Sequence, residues 1–477
     1  MPTLKINDQT ITVEPGTLLL DACKQAGYDI PHYCYHPALT PVATCRMCMV
    51  EIKGQPKLAT SCTVTATEGM EVSTHSPAVT DARAAVMEFL LINHPLDCPI
   101  CDQAGECKLQ DYSYQYGSDD SRMVEPKRRY RYEDLGAKIV IDKNRCIHCT
   151  RCVRFTKEVS RTYELTVANR GAHLEVTTYE GLSMDANPLA GNVVDLCPVG
   201  ALTSRDFRFH KRVWYLKPMA TISRHSALAS PLWADVDENR VWRFRPRHLA
   251  GQPSTHFIFD EERMACHRYD LDPATRATQP RLKGEASTLE TLGEALFSHD
   301  SIAVIGQGTF GCDAAQRLGE LASTEALCFG SGDKRYAVTH PEFQGDGDGI
   351  FNRRGFTERG FRFGQLENLL EQVRQGQVKA VVLLHDEAFS GPQENDLLSR
   401  IVEAAPFSLV LEPLPSVLSA KATATLPTAT YLEESDFVVN HHGDLRRYQK
   451  AVEAPKGVRS PAAWLKQVQT LRTVAMV

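Results

Sequence analysis

No stretch of this sequence approaches the roughly 20 consecutive apolar residues that a membrane-spanning helix needs. Its longest apolar runs, VKAVVLL and SIAVIG, have the length of buried strands. The start, MPTLKINDQTITV, has no basic region followed by an apolar stretch, so no secretory signal is expected. The chain is therefore predicted to stay in the cytoplasm, where thiols are reduced. Neither sign of charge dominates: 53 Lys and Arg stand against 59 Asp and Glu, a net charge of −6. Nothing global attracts nucleic acid. The one dense basic run, KRRYR, lies in the polar segment 117–135, read as a solvated surface connector. Cysteine is missing between residues 198 and 265, and only Cys266, Cys312 and Cys328 follow. Scattered singly, these three read as small buried hydrophobes.

What the chain does have is cysteine at its front. Twelve of the fifteen cysteines precede residue 200. A reducing compartment argues against a disulfide framework, and the tight local spacings argue for metal. A length of 477 residues allows about three domains. TLKIN and TITVEPGT read as two strands around an Asn-Asp-Gln turn. TLLLDACKQAG reads as a short helix with Thr17 as cap and Gly27 as stop, and CMVEIKG as another strand. Small sheet plus helix is the outline of a β-grasp domain. PAVTDARAAVMEFLLINHP carries helical spacing up to the His94-Pro95 boundary. From about residue 216 strands and helices alternate, which predicts a layered α/β domain with a largely parallel sheet.

Three cysteine sets carry chemistry. In the first, Cys34, Cys45, Cys48 and Cys62 place one C-x2-C pair between two more distant cysteines. A two-iron cluster wants such a long loop with a remote cysteine closing it; structural zinc prefers paired knuckles and remains the competitor. In the second, HPLDCPICDQAGEC gives Cys98, Cys101 and Cys107 and leaves a fourth ligand to find. His94 is the nearest candidate, with Pro95 biasing it away from helix and Gly105 letting the loop fold tightly. Zinc on three cysteines and one histidine competes evenly with iron–sulfur on this local evidence. In the third, Cys146, Cys149 and Cys152 form a C-x2-C-x2-C triplet, and Cys197 precedes Pro198. A triplet that tight with a remote Cys-Pro is the pattern of one 4Fe–4S cube. A second cube would need cysteines where Asn187, Ala190 and Val193 stand. Lys143, Arg145, Arg151 and Arg154 flank the triplet, either offsetting cluster charge or merely solvated.

The strings PHYCYHPALTPVATCRMCMVEI, INHPLDCPICDQAGECKLQDYSYQYG, DKNRCIHCTRCVRF and GNVVDLCPVGALTSR span about the first 215 residues. In them the chain resembles the large, G-type iron–sulfur subunit of respiratory complex I, the NADH:quinone oxidoreductase. The resemblance implies 2Fe–2S on Cys34, Cys45, Cys48 and Cys62. It implies 4Fe–4S on His94, Cys98, Cys101 and Cys107, and a second 4Fe–4S on Cys146, Cys149, Cys152 and Cys197. It also implies an α+β and α/β multidomain chain. A β-grasp 2Fe–2S domain would occupy 1–80, the one-His/three-Cys domain 81–120 and a ferredoxin-like 4Fe–4S domain 136–215. A degenerate molybdopterin-oxidoreductase-like α/β domain would occupy 216–477. Single electrons would come from a flavin- and NADH-binding partner, cross the 2Fe–2S site, the Cys146 set and the His94 set, and leave toward quinone through further iron–sulfur subunits. The chain itself would carry no catalytic acid or base and no NADH or quinone site. It would sit peripherally on the cytoplasmic face of the inner membrane. An electron-transfer (diaphorase) subunit of an NAD-linked hydrogenase or formate dehydrogenase is the alternative.

Two departures qualify the resemblance. Some bacterial relatives carry a further 4Fe–4S site beginning C-x2-C-x3-C, where this chain has Ser223, Ser226 and Ser230. Serine is a poor ligand for soft metals, so no fourth cluster is expected. The α/β half is short, so no molybdopterin is expected either. GQGTFG, Gly306 to Gly311, matches G-x-G-x-x-G but lacks a clear acidic partner, and reads as a strand-to-helix turn rather than a nucleotide site.

Overall fold

The computed structural model describes residues 1–130, 132–179, 182–225, 227–266, 276–330 and 350–475. The chain divides into two compact units, Met1–Tyr215 and Leu216–Val477.

The first unit opens with strands β1 (Thr3–Ile6) and β2 (Gln9–Thr12), helix α1 (Leu19–Gln25), and strands β3 (Met49–Ile52), β4 (Ala59–Thr60) and β5 (Glu71–Ser73). They form a mixed sheet in the order β2-β1-β5-β3-β4, with β1 and β5 parallel at its centre. The hairpin turns on Asn7, whose left-handed φ of 49° matches the twist of the flanking strands. Leu19, Leu20 and Ala22 of α1 bury against Leu4, Ile6, Val50 and Val72, which is why the helix lies on the sheet. This is the arrangement expected of a β-grasp. One detail differs. Thr17 does not cap α1: the cap position is Leu18, and the Thr17 hydroxyl donates to Glu14 O at 2.7 Å in the preceding turn. Gly27 ends the helix as expected, at φ +83°.

Helix α2 (Pro77–Leu91) is capped by Ser76, whose hydroxyl accepts from Val79 N, and it stops three residues before His94. Helix α3 (Lys108–Tyr116) follows directly on Cys107. The segment expected as a connector is irregular from 117 to 130 but ends in strand β6 (Tyr132–Asp134), whose alternating pattern the charged residues conceal. Then come β7 (Ile139–Asp142), α4 (Arg151–Glu158), the hairpin β8 (Leu165–Ala168) and β9 (Glu175–Thr178), α5 (Asn192–Leu196) and β10 (Leu202–Ser204). The order β10-β7-β6 makes a small antiparallel sheet beneath the third cysteine set.

The second unit holds a three-stranded antiparallel sheet (Lys217–Ile222, Pro231–Asp237, Arg240–Pro246) and an eight-stranded sheet. Six strands of the larger sheet run parallel: Ala424–Pro427, Phe407–Glu412, Ala380–Leu384, Ile302–Gln307, Ala326–Phe329 and Arg362–Phe363, in that spatial order. One face packs Leu292, Ala315, Leu318 and Leu465 from helices, the other Leu369, Leu370, Leu398 and Ile401. The layered α/β domain with a largely parallel sheet is what the alternating texture predicts. Cys312 and Cys328 are fully buried and Cys266 nearly so, as small hydrophobes should be.

Candidate metal centre

At the first set the loop between α1 and β3 carries Cys34, Cys45 and Cys48, and the turn after β4 carries Cys62. All four are buried. The sulfurs of Cys34 and Cys45, of Cys34 and Cys62, and of Cys48 and Cys62 lie within hydrogen-bond reach of one another. Backbone amides of Thr44 and Cys45 point at Cys34, and those of Cys34 and Met47 at Cys45. Ala43 and Arg46 adopt left-handed φ of 51° and 59°, the turn geometry that aims successive amides inward. Such donors stabilise thiolate over thiol.

At the second set Cys101 and Cys107 are buried, whereas Cys98 is exposed. The three thiols stand close enough to repel one another's charge. Burial raises the thiol of Cys107 to about 11, so metal binding has to displace its proton. Gly105 sits at φ +90°, and a Cβ there would meet Trp214 and Val213 at 3.0 Å; the tight loop expected at this position needs glycine. His94 donates its backbone N–H to Leu91 O at 3.2 Å, closing α2. Its ring Nδ1 is buried with no hydrogen-bond partner. Burial, with Lys127 and Arg145 nearby, lowers its pKa to about 4, so the imidazole is neutral and its lone pair available. Arg145 also faces Cys101, so the histidine and that cysteine share one cation.

At the third set, left-handed residues again alternate with cysteines: His148 at φ 53° and Thr150 at φ 59°. Amides of His148, Arg151 and Val153 point at Cys146, Cys149 and Cys152. Those of Val199, Ala201 and Leu202 point at Cys197. One cavity is lined by all four cysteines together with Ile141, Val176 and Leu202. Among the described residues, no three or more His, Cys, Asp or Glu side chains are drawn to the spacing of a single bound ion. A cage of several irons and sulfides separates its ligands further than one ion does.

The flanking cations are not merely solvated. Arg145 is 1% exposed and pairs with Asp97 at 3.0 Å and Asp142 at 3.2 Å. Lys143 pairs with Glu133 and Glu175. Arg151 donates to Tyr35 O and Leu196 O, and Arg154 to Cys34 O, Thr40 O and Cys149 O, so both reach from the third set to the first. The third set also touches the second: Pro198 O lies 3.9 Å from Cys107 Sγ. Sequence spacing gave no hint of Arg83, fully buried on α2, whose guanidinium donates to Met49 O at 3.1 Å beside Cys48.

In the second unit, Ser223 and Ser230 lie in the turn between two antiparallel strands, with Ser223 N donating to Ser230 O at 2.8 Å; Ser226 lies outside the described residues. Gly306 is the penultimate residue of a strand and Gly311 is the cap of the helix that follows, the strand-to-helix turn expected. A Cβ on Gly306 would strike Phe356, and one on Gly311 would fall 2.0 Å from Asp436 Oδ2. That carboxylate accepts from Asp313 N at 3.1 Å and Ala314 N at 3.5 Å. The position a phosphate would take is filled by the protein's own acid.

Three family models match separate stretches of the chain. They are a 2Fe-2S iron-sulfur cluster binding domain over 1–77, an NADH-ubiquinone oxidoreductase-G iron-sulfur binding region over 83–122, and the ferredoxin-like domain of NADH-quinone oxidoreductase subunit 3 over 136–203. The G-type subunit of the NADH-quinone oxidoreductase of Rickettsia conorii is 40% identical over 290 residues, 61% of this chain and 42% of that protein. The mitochondrial NADH-ubiquinone oxidoreductase 78 kDa subunit of Neurospora crassa is 45% identical over 265 residues, 55% of this chain and 35% of that protein. The matched stretch thus spans about two fifths of these relatives. Among solved structures, an NAD+-reducing [NiFe]-hydrogenase in the H2-reduced state aligns at a TM-score of 0.41 and 30% identity, covering 44% of this chain and 91% of that one.

Proposed function

We propose that this chain, homologous over its matched residues to the G-type subunit of NADH-quinone oxidoreductase, is an electron-transfer subunit of such a complex. Cys34, Cys45, Cys48 and Cys62 would hold a 2Fe–2S cluster. His94, Cys98, Cys101 and Cys107 would hold one 4Fe–4S cluster, and Cys146, Cys149, Cys152 and Cys197 another. When bound, these clusters supply one-electron oxidation and reduction. The observation that carries the reading is the donor set. Eleven cysteines fall in three groups with backbone amides aimed at sulfurs in each, and His94 offers a neutral imidazole whose buried Nδ1 has no hydrogen-bond partner. Amides oriented this way favour the anionic ligand and tune its potential.

The chain's own work is positioning. Burial keeps water from most of the sulfurs, Cys98 excepted, the left-handed turns fix where they point, and the buried cations offset negative charge. The third set bridges the other two, through Arg151 and Arg154 to the first and through Pro198 to the second. That supports a route from the 2Fe–2S site through the Cys146 set to the His94 set. A flavin- and NADH-binding subunit would supply the electrons and quinone-side iron–sulfur subunits would receive them. Among the described residues no helix is long and apolar enough to cross a membrane, which fits peripheral attachment through those partners.

Anaerobic purification followed by iron, sulfide and zinc analysis tests the reading. Three sites of these types account for about ten irons and about ten sulfides per chain. Stoichiometric zinc with almost no acid-labile sulfide would replace the relay with a zinc scaffold.

A further inference from the structure

We infer that Arg151 and Arg154 form a guanidinium bridge between the first and third sites and raise the redox potentials of both together; the inference rests on the iron–sulfur reading above. The two residues lie three apart on α4, so their side chains leave the same face. Arg154 is buried, and its fork donates to Cys34 O and Thr40 O on one side and to Cys149 O, at 3.4 Å, on the other. Arg151 spans the same gap, from Tyr35 O to Leu196 O at 3.2 Å. Cys34 and Cys149 are candidate ligands, and Tyr35 and Leu196 are each bonded to one.

The charge balance is what sets these two apart from their neighbours. Arg145 and Lys143 are each neutralised by two carboxylates. Among the described residues, Arg151 and Arg154 meet only carbonyl oxygens. Arg154 is buried and Arg151 half-buried, and a cation withdrawn from water without an anion is costly, so their compensation has to come from the nearest negative charge. For Arg151 those neighbours are the sulfurs of Cys149, Cys197 and Cys34, from both sites at once. A thiolate-held cluster gains one negative charge when it takes one electron, and a facing cation favours that reduced state. Because the same pair of cations faces both sites, both potentials rise while their difference is little changed. The bridge also gives a bonded route from Cys34 carbonyl through one guanidinium to Cys149 carbonyl. One electron leaves one site and arrives at the other, with no proton exchanged.

The test is a redox titration followed by electron paramagnetic resonance on the full chain, comparing the unaltered protein with Arg154→Gln and Arg151→Gln. The expected result is that both the 2Fe–2S signal and that of the Cys146 set titrate lower. At fixed potential the reduced-to-oxidised ratio should drop about tenfold, which is 59 mV for one electron. The His94-set signal should stay in place. Intact clusters whose midpoints do not move, or of which only one moves, would overturn the bridge. If the glutamine variants lose their clusters, Arg154→Lys decides. Its retained charge should hold both midpoints while the lost fork slows transfer between the sites, and lowered midpoints count against the inference. If the unaltered chain shows no iron–sulfur signal at all, it is the functional reading that fails.

Discussion

A Cβ placed on Gly200 would fall 2.2 Å from the Sγ of Cys101. The segment that delivers Cys197 to the third site therefore runs, three residues later, flush against a sulfur of the second. Gly200→Ala should force the two loops apart, an overpacking that costs about 1–3 kcal/mol. The expected outcome is loss of about four irons per chain, with the paramagnetic signal of the 2Fe–2S site unchanged. Full iron content and three unaltered signals would show that the contact relaxes freely.

As a cluster ligand the neutral imidazole of His94 would stand where a fourth cysteine would bring a thiolate. Substituting His94→Cys adds one negative charge to that ligand shell, and negative charge disfavours reduction. The variant should keep its cluster and titrate at a lower midpoint. An unchanged or raised midpoint in the same titration would refute the ligand assignment or its electrostatics.

In the second unit Arg224 is buried against Glu434, with Nη2 to Oε1 at 2.6 Å and to the Tyr448 hydroxyl at 2.9 Å. Removing one partner of a buried pair strands the other's charge. Arg224→Met should cost about 3–5 kcal/mol, and Arg224→Met with Glu434→Met should recover much of it. Urea unfolding followed by tryptophan fluorescence reads mainly this unit, since three of the four tryptophans, Trp233, Trp242 and Trp464, belong to it. Equal losses in the single and double variants would disprove the pairing.

His256 stacks on His248 at 3.7 Å, and burial followed by that neighbour lowers its pKa to about 4. The unfolded chain keeps the ordinary value near 6.5 and so binds the proton first. Stability contributed by neutral His256 is complete above about pH 6.5 and is lost as pH falls toward 4. Thermal unfolding of His256→Gln should therefore show a shallower decline over that window than the unaltered protein. Parallel profiles would remove His256 as the cause.

The cysteine groupings that the structure draws together were legible because most of their members stand at short intervals, and intervals are what a sequence displays. The strand and helix alternation past residue 216 was legible for a similar reason: the buried central strands of a parallel sheet need apolar runs such as AVVLL and IAVIG. Contacts between distant segments were not legible. Gly200 looks like any turn glycine until Cys101 is placed beside it. Asp436 lies more than 120 residues from the glycine turn whose helix it caps, so the turn still read as a nucleotide motif to be weighed. Helix α3 hides in KLQDYSYQY, whose only fully internal residues are Leu109 and Tyr112. Thr17 looked like a helix cap because its hydroxyl suits that role, but a nearer carbonyl, Glu14 O, captured it.

Six of the cysteines, Cys34, Cys45, Cys107, Cys146, Cys149 and Cys197, belong to one apolar cluster with Tyr33, Met47 and Met87. The three proposed cluster sites thus share a wall, and that wall cannot close around one of them without narrowing the way into the others. On the proposed reading, iron and sulfide would have to arrive while the first unit is still open, which would tie the timing of folding to the supply of clusters. A chain synthesised faster than it is loaded would shut on empty seats.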